Sequence, residues 1–92
     1  MLEEIKKLLR ITGTDHDDEI NGLIDEAKAD LELAGVKVLI DDNNIKRAIR
    51  VYCKANFGIE NPDRDALNKS YEMIKGHLNK TVELGSWYVA GY

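Results

Sequence analysis

Apolar residues recur at helical intervals in four stretches of this chain. Leu2, Ile5, Leu8 and Leu9 share one side of a helix that the spacing predicts over residues 2–11, with Gly13 as its terminator. The second pattern is longer. Ile20, Leu23, Ile24, Ala27, Leu31 and Ala34 are spaced 3, 1, 3, 4 and 3, which puts all six on one face of a helix capped by Asp15 and ended by Gly35. The run 36–40 that follows is short and rich in β-branched residues. It reads either as an extended connector crossing the core or as a strand, and a lone strand without a partner would be unstable.

A third helix is expected over residues 44–57, with Asp41, Asp42, Asn43 and Asn44 as candidate caps. Its buried side comprises Ile45, Ala48, Ile49, Tyr52 and either Ala55 or Asn56. Gly58 can take the left-handed conformation that ends this helix. Asn61 can accept from N–H groups that the next helix leaves unpaired, and Pro62 suits its first position, where a missing N–H costs nothing. Asp63 and Asp65 add negative charge at the positive end of the helix dipole.

The fourth helix is expected over 62–79, its seam formed by Leu67, Tyr71, Ile74 and Leu78 at spacings of 4, 3 and 4. Two helices joined by so short a loop, 58–61, form an αα-hairpin. The fold class is therefore all-α: a four-helix domain over residues 1–80 with an αα-hairpin of helices 3 and 4, then an extended C-terminal tail over 81–92. That tail breaks the apolar pattern and holds Trp87, Tyr88 and Tyr92, half of the chain's six aromatics. It reads as a segment folded over its own core or as an interaction arm lying on a neighbouring subunit, since aromatics are enriched at interfaces.

A length of 92 residues gives one domain. Folding at this size buries only roughly 60–65% of the unfolded chain's surface, so an isolated subunit has modest stability. With 33% charged and 43% hydrophobic residues the chain is too apolar for disorder. No apolar run approaches the ~18–20 residues of a membrane span, and the charged, amphipathic N-terminus is unlike a signal peptide. A single cysteine, Cys53, cannot form an internal disulfide, which fits a reducing cytoplasm.

The formal charge of −4 conceals a segregation. Residues 13–34 carry eight acidic side chains against Lys28 alone, a net −7. Residues 43–57 carry Lys46, Arg47, Arg50 and Lys54 and no acid, a net +4. Attraction to DNA needs a dominant basic surface, so autonomous DNA binding is not expected. Lys46, Arg50 and Lys54 are spaced by four and share a stripe with Arg47 beside it. These cations can be a solvated face, or they can meet Asp18, Asp25 and Glu32 of the acidic helix, within one subunit or between identical ones.

Catalytic and metal chemistry finds little purchase. Asp15, Asp17, Glu19 and Glu26 imitate positions of a calcium loop, but Ile20 stands where its sharp turn needs glycine. Acids stabilising a helix N-terminus explain that cluster better. His16 and His77 are far apart, and with one cysteine they do not make a zinc site. A Cys53–His77 pair across the hairpin is conceivable, yet Cys53 reads as a small buried hydrophobe, and His77 as a complement to the dipole at a helix end. The chain is expected not to be an enzyme and to use no cofactor.

Several segments together resemble the small helical head–tail connector (adaptor) proteins of tailed bacteriophages, often labelled DNA-packaging proteins. They are LLRITG at 8–13, DDEI at 17–20, LIDEA at 23–27, AIRVYCKANFG at 48–58, the NPD turn at 61–63 and KSYEMIK at 69–75. The order, spacing and total length carry the match over residues 2–80. The resemblance implies a virion structural protein that forms a homo-oligomeric ring beneath the portal and extends the DNA channel. It also implies a docking surface for the next connector or the tail, a place at the head–tail neck, and passage through the host cytoplasm during assembly. DNA would pass without sequence-specific binding, and no membrane is involved. The alternative is a small helical nucleic-acid-binding or regulatory module of a mobile element, which predicts a salt-dependent gel shift with duplex DNA.

Overall fold

Asp42 sets the start of the third helix. Its Oδ1 accepts from the backbone N–H groups of Asn44 (2.8 Å) and Ile45 (3.2 Å), two of the donors a helix start leaves unpaired. The computed structural model describes residues 1–39 and 42–89, with backbone alone for 79–89. It contains α1 (Leu2–Leu9), α2 (Asp17–Leu33), α3 (Asn43–Asn56) and α4 (Arg64–Val89). No strand occurs among the described residues, and the chain is all-α. The most extensive packing joins α3 to α4, as the expected hairpin requires.

The turns between helices follow from local chemistry. Gly35 has φ 84°, its N–H bonds to the Glu32 carbonyl, and the Val36 N–H bonds to the Leu31 carbonyl. This pair of bonds is the Schellman arrangement, and it buries Val36 in the core. Residues 36–39 then run without regular structure, with Val38 packed against the core, so the segment is the extended crossing. Ile40 and Asp41, the latter among the candidate caps, lie outside the described residues.

Two helix ends differ from expectation. α1 stops at Leu9 because Arg10, with φ 58°, takes the left-handed position. Its N–H bonds to the Lys7 carbonyl and that of Ile11 to the Lys6 carbonyl, the same closure that Gly35 makes. Gly13 is not the terminator, and in so short a helix Leu8 falls at the rim, 38% exposed. α2 begins after His16, and no side chain caps it. Asp15 sits inside a turn closed by Asp17 N–H and the Thr14 carbonyl, which leaves its carboxylate exposed.

The hairpin loop keeps its expected turn chemistry, but α4 begins at Arg64, so Pro62 lies in the turn before the helix and not at its first position. Gly58 has φ 80°, and the Asn61 side-chain oxygen accepts from the Asp63 N–H at 3.0 Å. The core gathers Ile5 from α1, Ile20 and Leu31 from α2, Ile49 and Cys53 from α3, and Tyr71 from α4. Tyr52, expected inside, is half-buried while Cys53 next to it is fully covered.

The largest departure is at the C-terminus. α4 does not end near residue 79 but continues as helix to Val89, so 81–89 is not an extended tail. No proline follows Pro62, and an interior glycine such as Gly85 costs only about 1 kcal/mol relative to Ala, too little to break a long helix. His77 therefore lies within the helix, not at its negative end. The side chains of Trp87 and Tyr88 lie outside the described residues.

Candidate assembly interface

Three faces of α2 divide its carboxylates. Ile20, Ile24, Ala27 and Leu31 occupy the inner face. A second face looks toward the hairpin. There Glu26 accepts from the Tyr52 hydroxyl at 3.4 Å, and Glu19 accepts from the Gly58 N–H at 3.4 Å. Asp17, at the start of the helix, lies 3.0 Å from the largely buried ammonium of Lys6, tying α1 to α2. The third face carries Asp18, Asp25 and Glu32 at intervals of seven, one stripe along the helix, all exposed.

Asp30 is the centre of the contact between α2 and α4. Its Oδ2 accepts from the Tyr71 hydroxyl at 2.5 Å and from Lys75 Nζ at 3.0 Å. Lys75 also reaches Glu72 at 3.0 Å and lies 5.3 Å from the centre of the Tyr71 ring. Tyr71 meets Tyr52 edge-on, ring centres 5.1 Å apart. The Tyr71 hydrogen bond, opposed by burial and helped by Lys75, holds the Asp30 carboxyl below its ordinary value. Burial, then the Asp30 hydrogen bond and charge, push the Tyr71 phenol upward. For Lys75 burial acts downward, but its bonds to Glu72 and Asp30 outweigh it and the net shift is upward.

The cations of α3 are arranged differently. Arg47, Arg50 and Lys54 lie opposite the side that buries Ile45, Ala48 and Ile49, while Lys46 sits on the flank next to Cys53; Lys46 and Arg50 are only partly exposed. Arg50 Nη1 stands 3.9 Å from Glu4 of α1, with both side chains well exposed, a pair of little energetic weight. Among the described residues Lys46, Arg47 and Lys54 make no ion pair, and neither do Asp18, Asp25 and Glu32. The acidic and basic stripes thus do not meet within the subunit. Arg47 also lines a groove of about 350 Å³ between α3 and α4, with Asn44, Met73, Ile74, His77 and Leu78.

The geometry speaks against the Cys53–His77 pairing. Cys53 is fully buried, and burial followed by the Glu26 charge pushes its thiol up to about 12, away from the thiolate a nucleophile needs. His77 lines the groove beside Arg47, about 9 Å along α3 from Cys53 at 1.5 Å per residue. The acids of the supposed calcium loop disperse: Asp17 turns to Lys6, Glu19 to the hairpin loop and Glu26 to Tyr52. Among the described residues no cluster of three metal-ligating side chains occurs, and no helix is long and apolar enough to cross a membrane.

A family model for phage connector proteins matches residues 1–84. The chain belongs to that family. No curated protein and no solved structure matches it. A phage connector is a structural component of the virion that works against other head and tail proteins. For such a protein the informative features are the surfaces it leaves unmatched. Sequence reasoning singled out both charged stripes of this connector, but missed the Tyr52–Tyr71–Asp30 contact and the groove beside Arg47. Both depend on which turns of α3 and α4 lie level with each other.

Proposed function

We propose that this connector subunit assembles head-to-tail into a homo-oligomeric ring beneath the portal, extending the DNA channel and docking the next connector or the tail. The observation that carries the reading is the pair of stripes, an exposed acidic one on α2 and a basic one on α3, that do not meet inside one subunit, where Arg50 alone stands near an acid, Glu4 of α1 at 3.9 Å. Opposite patches on different faces of identical subunits make a heterologous contact, which closes into a ring when the rotation between copies allows. The modest stability of a domain this size favours burial against neighbours.

In this reading Asp18, Asp25 and Glu32 of one copy face Lys46, Arg47, Arg50 and Lys54 of the next. Trp87 and Tyr88, near the end of α4, belong to a segment that reaches a neighbouring protein. The remaining acidic surface lets DNA slide past, because only a basic wall would gain from counterion release. Subunits accumulate as monomers in the bacterial cytoplasm until a portal templates them. The test is Arg50→Glu combined with Lys54→Glu, followed by sedimentation velocity with and without the cognate portal. The variant should stay folded yet fail to enter the portal-bound complex; unchanged assembly would remove the charged stripes from the account.

A further inference from the structure

The tip of the α3–α4 hairpin is held far more tightly than an exposed loop needs to be. Arg64 donates through Nε to the Ala55 carbonyl at 2.9 Å and through Nη2 to the Gly58 carbonyl at 3.0 Å. The Asn61 amide donates to the Lys54 carbonyl at 2.8 Å, and the Gly58 N–H reaches Glu19 of α2. His16 adds an edge-on contact to Phe57. What this rigid frame presents to solvent is Ile59, 92% exposed, followed by the exposed carboxylate of Glu60.

At the other end of the same hairpin lies the groove with complementary character. Met73, Ile74 and Leu78 give it an apolar lining, and Arg47 puts a cation on its edge. Its volume of about 350 Å³ is roomy for the side chain of an isoleucine. The tip cannot fill its own groove. Arg47 and Gly58 are eleven residues apart, roughly 16 Å along a helix rising 1.5 Å per residue.

We propose that Ile59 of one copy seats in the groove between α3 and α4 of the next copy, with Glu60 against Arg47. The inference rests on the ring reading and names its apolar anchor. Two observations choose a second copy as the occupant. The acid of the knob matches the cation of the groove, and Asp18 lies near the tip, on the α2 turn next to Glu19, while Lys46 lies beside Arg47 at the groove end. A knob already fixed by hydrogen bonds loses little freedom on docking, which is what an assembly contact of modest area requires.

Two variants test this in the full chain. In Ile59→Cys combined with Met73→Cys, one cysteine lies in the loop before α4 and the other two and a half turns, about 13 Å, into that helix, too far for an internal disulfide. Buried Cys53 stays out of the reaction. Oxidation in the presence of the cognate portal should give a ladder of covalent oligomers on a non-reducing gel, where either single variant stops at dimers. Ile59→Asp should lower self-association at least tenfold with an unchanged melting temperature. If wild type assembles while Ile59→Asp assembles equally and no ladder forms, the knob is wrong and the ring stands. If wild type never self-associates, on the portal or alone, the ring reading falls and takes this inference with it. Portal binding lost with self-association kept would place the tip on the portal, which also overturns the proposal.

Discussion

Removing one hydroxyl group measures how firmly α2 is held to α4. Tyr71→Phe keeps the buried ring and its edge contact with Tyr52, and deletes only the 2.5 Å hydrogen bond to Asp30. A hydrogen bond to a charged group contributes about 1.5–3 kcal/mol. The Asp30 side chain is 38% exposed, so water replaces part of what is lost, and about 1–2 kcal/mol is the expected cost. In a domain of this size that lowers the melting temperature by roughly 5–12 °C. Urea unfolding followed by circular dichroism reads the difference directly, with an unchanged slope if both states keep their compactness.

Acid gives the same variant a second, sharper readout. The unfolded chain takes up a proton on Asp30 near its ordinary value of 3.8, whereas the native carboxyl, held down first by Tyr71, resists until lower pH. The stabilisation is therefore complete above that value and is lost as pH falls through 3.8 toward the native one. Without the hydroxyl, native and unfolded values draw together. The gap between wild type and Tyr71→Phe should accordingly be full at pH 7 and shrink by pH 3. A gap below about 0.5 kcal/mol at neutral pH, the range of an ordinary surface change, would refute the reasoning. So would a gap that does not change with acid.

Other substitutions probe other parts of the fold. Asp42→Ala should cost about 1 kcal/mol through loss of the α3 cap, with Asp42→Asn nearly neutral, both read from urea midpoints. Arg10→Gly should stabilise by about 0.5–1 kcal/mol, since a left-handed residue with a Cβ is strained where glycine is not; a lower melting temperature would contradict this. Cys53 should resist a thiol reagent in the native protein and react at the rate of unfolding. Its unfolded thiol ionises near 9.0 and the native one near 12, so stability should fall as pH rises past 9, a trend that pH-dependent melting would check.

The helical interior was legible because period 3.6 is written directly in positions such as Ile20, Ile24, Ala27 and Leu31. The hairpin loop was legible for a different reason. Gly58, Asn61 and Pro62 each suit one backbone role there and few others. What escaped the sequence shares a cause: it depends on partners distant along the chain. Arg10 takes a left-handed conformation that nothing in its side chain announces, and the ladder closing onto Lys6 and Lys7 favours it. Tyr52 and Cys53 sit 100° apart on α3, so a small rotation decides which is covered. Pattern alone can count seven acids along α2, but only packing shows that Glu26 and Asp30 are engaged by tyrosines while Asp18, Asp25 and Glu32 look outward.

The division of charge between engaged and unengaged groups also bears on when assembly should happen. An exposed ion pair contributes only about 0–1 kcal/mol, so leaving three acids and most of the basic stripe unpaired costs the lone subunit little. On the proposed ring reading, two free copies should not stick, because so few weak pairs cannot offset the loss of translational freedom on association. The balance changes when a partner holds neighbours side by side. Each next contact then forms at a high effective concentration, and pairs too weak to make a dimer become sufficient to close a ring. Salt discriminates between this and a mainly apolar contact. Stripes facing each other across solvent are screened over about 8–10 Å at physiological strength. If the stripes dominate, ring formation on a portal should weaken steeply between low and high salt. If Ile59 in the groove dominates, it should persist. A contact using both should lose its rate of assembly to salt before it loses its final extent.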